Sequence, residues 1–364
     1  REREEVVAVE AEKTTVRYGS VWDDVDVSTF KPVKMIDLDS EDPSLADICN
    51  CLDDRARSGP PVTLRWMLCL VALLSLGLVA TNLISLASVR VFRVLWIGVF
   101  AVNVLAVSMP GRLDRMYKEN NHIKPWQSLL EPASWAFGIW GAIYLGELAL
   151  SLYASSVGFP AELFQRVLPY WIMGNWMQSL WCFVFRAEFK NHLWVPTLCL
   201  LLSAAAFTAA HGEASAYLSD LGPAMAMSPQ AWVAGLLKPV LATHASWVGV
   251  AAMINLNSWL AISMGKVARG LQATVAFSSA FVIFGLGAML TLQRGECMFA
   301  ATAAWSLSAL SYRAAGKALQ PKGIVAPDVH ESIAAVEGIL AGVLKCMAVG
   351  ALVAPLVALG AEAQ

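Results

Sequence analysis

An all-α, polytopic membrane protein with about nine transmembrane helices is the fold class this sequence predicts, and three observations predict it. Of the 364 residues 57% are hydrophobic and 15% charged, with a mean hydropathy of +0.57, whereas soluble domains run near 45–50% apolar and about 25% charged. Charge is also divided along the chain. Residues 1–62 hold 8 of the 26 Lys+Arg and 15 of the 28 Asp+Glu, a net of −7, which leaves +5 on the remaining 302. Finally, from residue 63 onward, apolar stretches recur at roughly the 20-residue length that a bilayer core of about 30 Å demands. An acidic tail on a basic, apolar body has no Lys/Arg-rich face, which excludes nucleic acid as a partner.

The acidic extramembrane tail, residues 1–62, is too polar to build a core and is expected to be disordered in isolation. One short amphipathic helix is predicted in it, opening at Asp42-Pro43-Ser44-Leu45 with an acidic N-cap and ending at Ser58-Gly59-Pro60-Pro61. The sequence starts at Arg1 without Met, for which two expectations stand: removal of an upstream targeting peptide in an organelle, or a chain that begins late. Order in this tail would come from a neighbouring subunit or from its own basic loops. Cys49 and Cys51 are half of a metal pair without its partner. Cys69, Cys182, Cys199, Cys297 and Cys346 lie in apolar runs, so the thiols are expected to be buried and structural.

Nine spans are predicted at 64–87, 91–109, 132–157, 167–185, 193–210, 240–264, 271–292, 298–312 and 333–359. The positive-inside rule supplies an independent test of the count. With nine spans, twelve Lys/Arg residues (Arg65, Arg112, Arg115, Lys118, Lys124, Arg186, Lys190, Lys266, Arg269, Arg313, Lys317, Lys322) fall on the side of the tail. Five (Arg90, Arg93, Arg166, Lys238, Arg294) fall opposite, and Lys345 is inside the last span. The N-terminus is therefore expected on the cytoplasmic, stromal or matrix side. The stretch His211–Gln230, without Lys or Arg, reads as a long loop on the other side. No glycosylation sequon occurs, and no internal repeat of the kind many transporters carry.

Charged and amide side chains at bilayer depth are costly, so each is a candidate for function. In the 132–157 span Trp140, Tyr144 and Glu147 follow helical spacing on one stripe. Trp171, Asn175, Gln178, Trp181 and Phe185 do so in the next, and His244, Trp247, Ala251 and Asn255 in the helix from 240. Three helices thus each present aromatic and polar groups along one line. Converging lines would outline an apolar pocket with a few hydrogen-bonding groups, suited to a large, flat, lipophilic ligand. The competing reading is that the polar residues join helices and the aromatics pack. His244 or His211 as axial ligand to haem or chlorophyll is weighed against a packing role in the same way. Glu337 and Lys345 could share a buried patch or pair with Glu147. Phosphate loops, nucleophile elbows, His-Glu-x-x-His and Cys-x-x-Cys are all absent, so no enzyme activity and no metal site are predicted.

The run Glu131-Pro-Ala-Ser-Trp-Ala-Phe-Gly-Ile-Trp-Gly-Ala-Ile-Tyr144 resembles the tryptophan-rich sensory protein and translocator protein family (TspO/MBR), with Pro132, Trp140 and Tyr144 in the family's spacing. Gln178, Trp181 and Phe185 match its third-helix pattern, with Gln in place of Asn, and Trp247, Ala251 and Asn255 match its fifth-helix pattern. The likeness is greatest to larger, diverged members with extra helices. It implies a TspO-like five-helix core over 91–264, preceded by an additional helix at 63–90 and followed by three more in 265–364. It also implies a non-enzymatic protein binding a tetrapyrrole (porphyrin, haem or chlorophyll) or a lipid, as sensor, carrier or scavenger. Stripes and resemblance together give the expected ligand-binding residues, Trp140, Tyr144, Glu147, Gln178, Trp181, His244, Trp247, Ala251 and Asn255, of which Glu147 and His244 come from the stripes alone. The alternative is an accessory subunit of a photosynthetic or respiratory complex in a plastid or mitochondrion, contacting membrane lipids and other subunits through the tail and the added helices.

Overall fold

The computed structural model describes residues 89–109, 112–113, 128–154, 160–186, 189, 192–264, 269–315 and 327–362. The expected tail helix, the first span at 64–87 and Cys49, Cys51 and Cys69 lie outside them. Eight α-helices and no strand are found among the described residues: α1 (Val89–Ser108), α2 (Ile139–Tyr153), α3 (Ala161–Val184), α4 (Trp194–Leu221), α5 (Pro229–Met264), α6 (Arg269–Arg294), α7 (Cys297–Ala315) and α8 (Pro327–Glu362). A 3₁₀ turn, Ser134–Gly138, leads into α2, and another, Pro223–Met225, joins α4 to α5.

The all-α membrane class holds, but the count of nine spans is not confirmed. Among the described residues five helical stretches are long and apolar enough to cross a bilayer: Ser134–Tyr153, Trp194–Leu221, Pro229–Ala261, Leu271–Arg294 and Glu331–Ala354. Arg93–Ser108 is apolar but shorter, and neither α3 nor α7 is among the five. The reason in α3 is chemical. It carries Glu162, Arg166, Asn175 and Gln178, and the two amides are wholly buried. A helix surrounded by other helices needs no uniformly apolar surface, so hydropathy undercounts it.

A second correction concerns the long loop expected over His211–Gln230. The segment His-Gly-Glu-Ala-Ser-Ala-Tyr-Leu-Ser-Asp-Leu continues α4 to Leu221, because it is rich in helix formers and Ala214 and Tyr217 bury themselves against the bundle. The helix stops at Gly222, whose φ of 69° is open to glycine and strained for other residues. Helix α5 then starts at Pro229, eleven residues before the expected start, and carries Pro239 inside it. The α6–α7 turn is shorter, only Gly295 and Glu296, and uses Gly295 at φ 61°.

Helix α5 is the spine. On one side α1, α3, α4 and α5 share a core built on Trp96, Phe164, Trp171, Phe207 and Leu241. On the other, α5 to α8 share a core of small residues such as Ala276, Ala280, Ala303 and Ala304, with Leu307 and Leu344. Small residues let helix backbones approach where lipid provides no hydrophobic drive to association. Gly287 of α6 is an extreme case, since a Cβ there would lie 2.7 Å from that of Ala303. Helix α2 is the lightly held member, with slight contacts to α5 and α1 and Leu145, Leu148 and Leu152 exposed. Its leading 3₁₀ turn is tied to α7 by Ala133 N–H to the Ala309 carbonyl at 3.0 Å and by Trp305 Nε1 to the Ala136 carbonyl at 3.1 Å.

Candidate functional site

Glu147, a carboxyl group at the middle of an apolar helix, is wholly buried and lies with its Oε1 2.6 Å from His244 Nδ1. The other imidazole nitrogen, Nε2, is 2.7 Å from Gln178 Oε1. Gln178 Nε2 donates to the Tyr144 hydroxyl at 3.0 Å, and Tyr144 donates to Asn103 Oδ1 at 2.9 Å. Asn103 ends the chain by donating Nδ2 to the Asn175 carbonyl at 3.0 Å. Side chains of α1, α2, α3 and α5 are thereby linked through a region from which Glu147, Gln178, His244 and Asn103 show no exposed surface. The linkage follows from the helical spacing. Tyr144 and Glu147 are three apart and so project from one face of α2 toward α3 and α5.

Aromatic rings enclose the chain. Phe207 of α4 stacks on His244 at 4.0 Å, while Trp140 stands edge-on to it at 5.9 Å and stacks on Tyr144 at 5.5 Å. Trp247 meets Trp140 edge-on at 6.0 Å and Phe137 at 5.8 Å. Trp140 and Tyr144 keep part of their surface exposed, and Trp247 is buried. Two polar atoms in this shell lack a partner: Trp247 Nε1 and Glu147 Oε2.

Six of the nine sequence-predicted residues therefore meet: Trp140, Tyr144, Glu147, Gln178, His244 and Trp247. Trp181, Ala251 and Asn255 form a separate group, in which Trp181 Nε1 donates to Asn255 Oδ1 at 3.2 Å, Asn255 donates to the Ala251 carbonyl at 2.9 Å, and the Arg112 guanidinium lies 4.9 Å over the Trp181 ring. Trp171 stacks on Trp96 at 4.1 Å in the core instead of facing the site. Asn103 and Phe207 were not anticipated. Asn103 carries the same signal as Glu147, an amide inside an apolar span, whereas a lone Phe among apolar residues carries none.

Lys345 is exposed on α8 while Glu337 is buried, and Glu147 is committed to His244, so neither expected pairing of these residues forms. Cys182 and Cys199 are buried as expected, but Cys297 is half-buried and Cys346 exposed. An open cleft of about 750 Å³ lies at the α4–α5 turn, lined by Gly222, Pro223, Met227 and Trp232 among others. It is on the part of α5 before Lys238, away from His244.

His211 is apart from the site, edge-on to Phe299 at 5.0 Å, with Nε2 3.9 Å from Glu296 Oε2. Glu296 sits in the α6–α7 turn outside the spans. Burial acts to raise its pKa, but the nearby His211, the Met298 backbone N–H and the charge of Lys238 outweigh this and hold it below its ordinary value. A carboxyl with a lowered folded-state pKa contributes stability that is present above its unfolded value of about 4.3 and is lost as pH falls through the folded value. Thermal unfolding between about pH 3 and 5 is expected to show a shallower acid loss in Glu296→Gln than in the unaltered protein, and equal slopes would remove the assignment.

The family model described as TSPO-like protein matches residues 90–350. The chain belongs to the TSPO-like family. No curated protein and no solved structure matches it. The match to TSPO-like proteins runs past the expected core at 91–264 and takes in α6, α7 and most of α8. As a TSPO-like protein with several long apolar helices, the chain is an integral membrane protein.

Proposed function

We propose that this TSPO-like protein binds a flat, lipophilic ligand of tetrapyrrole type at the aromatic wall of Trp140, Tyr144 and Trp247, and that it acts by binding without catalysing a reaction. The observation that carries the reading is the pair of unpartnered polar atoms beside that wall, Trp247 Nε1 and Glu147 Oε2. Buried donors and acceptors are rarely left unpaired, since each costs about 1–3 kcal/mol, and a ligand with one acceptor and one donor would satisfy both. The stacked, partly exposed rings of Trp140 and Tyr144 supply a π-face at the lipid-facing edge of the bundle, where the lightly held α2 leaves the easiest approach.

The polar chain also restricts the mode of binding. Both nitrogens of His244 are engaged, so axial ligation of a metal by His244 would require dismantling the chain. The macrocycle is therefore read as held by its faces and edges. Titration of the purified protein with protoporphyrin IX is expected to quench tryptophan emission, and Trp140→Leu to weaken binding on the order of tenfold, equivalent to about 1.4 kcal/mol. Absence of quenching in the unaltered protein would sink the proposal.

A further inference from the structure

The hydrogen-bond chain has a direction, and one backbone atom sets it. The Asn175 carbonyl oxygen can only accept, so Asn103 must turn Nδ2 toward it and Oδ1 toward Tyr144. Tyr144 gives its single hydroxyl hydrogen to that Oδ1. The Tyr144 oxygen is left to accept from Gln178 Nε2, which places Gln178 Oε1 against His244 Nε2 at 2.7 Å. An amide oxygen cannot donate, so His244 Nε2 carries a hydrogen. On the opposite side of the ring, Nδ1 lies 2.6 Å from Glu147 Oε1. Two lone pairs at that distance repel, so a proton lies between them. Either an imidazolium faces a carboxylate, or a neutral imidazole accepts from a carboxylic acid. Both arrangements have zero net charge and hold one proton more than a carboxylate beside a neutral imidazole.

We infer that Glu147 and His244 form a buried one-proton site kept filled by the directional chain from Asn103, with Tyr144 as the residue that can release it. If the Tyr144 hydroxyl is drawn to another partner, Gln178 is free to turn over and present Nε2–H to His244. The imidazole can then carry its hydrogen on Nδ1, donate it to a Glu147 carboxylate and accept at Nε2. Both imidazole nitrogens and Glu147 Oε1 are then satisfied with one proton fewer, while Asn103 Oδ1 gives up the Tyr144 hydrogen and Gln178 Oε1 turns to the place the hydroxyl has left; the proton passes to solvent, and the site goes from neutral to −1. The titratable groups acting around Tyr144 are Glu147, Cys182 of α3 and Arg112 beyond α1, while α4 presents the uncharged Phe207 ring. This half-buried tyrosine also belongs to the aromatic wall. On the reading of that wall as a ligand site, a ligand that engages Tyr144 is bound with release of a proton, and the ligand favoured is one bringing an N–H donor to the carboxylate, as a pyrrole does.

The test is ¹⁵N NMR of histidine-labelled protein in lipid nanodiscs at neutral pH, with the His244 signals assigned by their loss in His244→Gln. His244 Nε2 is expected to be protonated in the unaltered protein. In Tyr144→Phe, Nε2 is expected to be bare and the hydrogen to move to Nδ1. A bare Nε2 in the unaltered protein overturns the one-proton site, and an Nε2–H that persists in Tyr144→Phe overturns the releasing role. Should Tyr144→Phe fold poorly, Asn103→Leu removes the same constraint and carries the same expectation. In a weakly buffered solution with a pH-indicating dye, protoporphyrin IX should release about one proton per molecule bound, and none in Glu147→Gln. Quenching without proton release overturns the coupling. If no quenching occurs, the ligand reading fails on its own, and the NMR result still decides the proton site.

Discussion

Replacing His244 by alanine is expected to destabilise the protein by about 3–5 kcal/mol, whereas Glu147→Gln should cost less than about 1 kcal/mol. The asymmetry arises from what each change leaves behind. Without the imidazole, Glu147 Oε1 and Gln178 Oε1 both lose their partner in a region with no exposed surface, and each such loss costs about 1–3 kcal/mol. Phe207 also loses the ring it stacks on at 4.0 Å, leaving a cavity whose lining forfeits dispersion contacts. Glutamine at 147, by contrast, has the shape of the carboxylic acid and can donate an amide N–H to Nδ1. Thermal unfolding of both variants in the same detergent or bilayer checks this. Comparable losses for the two would mean that the contact is an obligatory ion pair, and near-neutral behaviour of His244→Ala would mean that the chain is dispensable. An ordinary interhelical hydrogen bond in a membrane averages only about 0.6 kcal/mol, so the expected size itself separates a connected network from isolated glue.

Much of this site was legible because polar residues in apolar helices are conspicuous. Glu147, Gln178 and His244 stood out on that ground alone, and helical spacing put each on the same stripe as an aromatic residue. What spacing cannot supply is the rotation of one helix against another. The stripe on α3 is long enough to face two neighbours, so Gln178 turns to His244 while Trp171 turns to Trp96 and Trp181 to Asn255. Stripe membership therefore implied one pocket where the fold makes two groups and a core contact. The boundaries of α4 and α5 failed for a different reason. The segment from His211 has no proline before Gly222, but with Gly212 and its polar residues it resembles a loop; the helix tolerates Gly212, and tertiary contacts at Ala214 and Tyr217 decide the matter. In α3, hydropathy fails where the helix is buried among other helices, since burial there is compatible with Asn175 and Gln178.

Gly174→Ala is expected to disturb the site from outside it. Gly174 lies on α3, where its missing side chain makes room for the Phe207 ring, and a Cβ built there would come within 2.8 Å of Phe207 Cζ. A rigid ring cannot fold away as the end of a flexible chain would. Phe207 is further confined by His244 at 4.0 Å and by Trp171, edge-on at 6.1 Å, so the added methyl must push the ring toward His244 or force α3 from α4. Ser203 Oγ, which donates to the Gly174 carbonyl at 2.8 Å, opposes the second course. Overpacking of this kind costs about 1–3 kcal/mol, and here the strain should pass to the Glu147–His244 contact. The decisive experiment is a double-mutant cycle with Phe207→Leu. That change alone opens a cavity and should cost roughly 1–3 kcal/mol, but it also frees the space the alanine needs. The double variant should therefore be more stable than the sum of the two losses allows, by about 1 kcal/mol or more, with the His244 NMR signals returning toward those of the unaltered protein. Strict additivity would show that Gly174 and Phe207 are not in the contact described, and that Phe207 does not hold the imidazole in place.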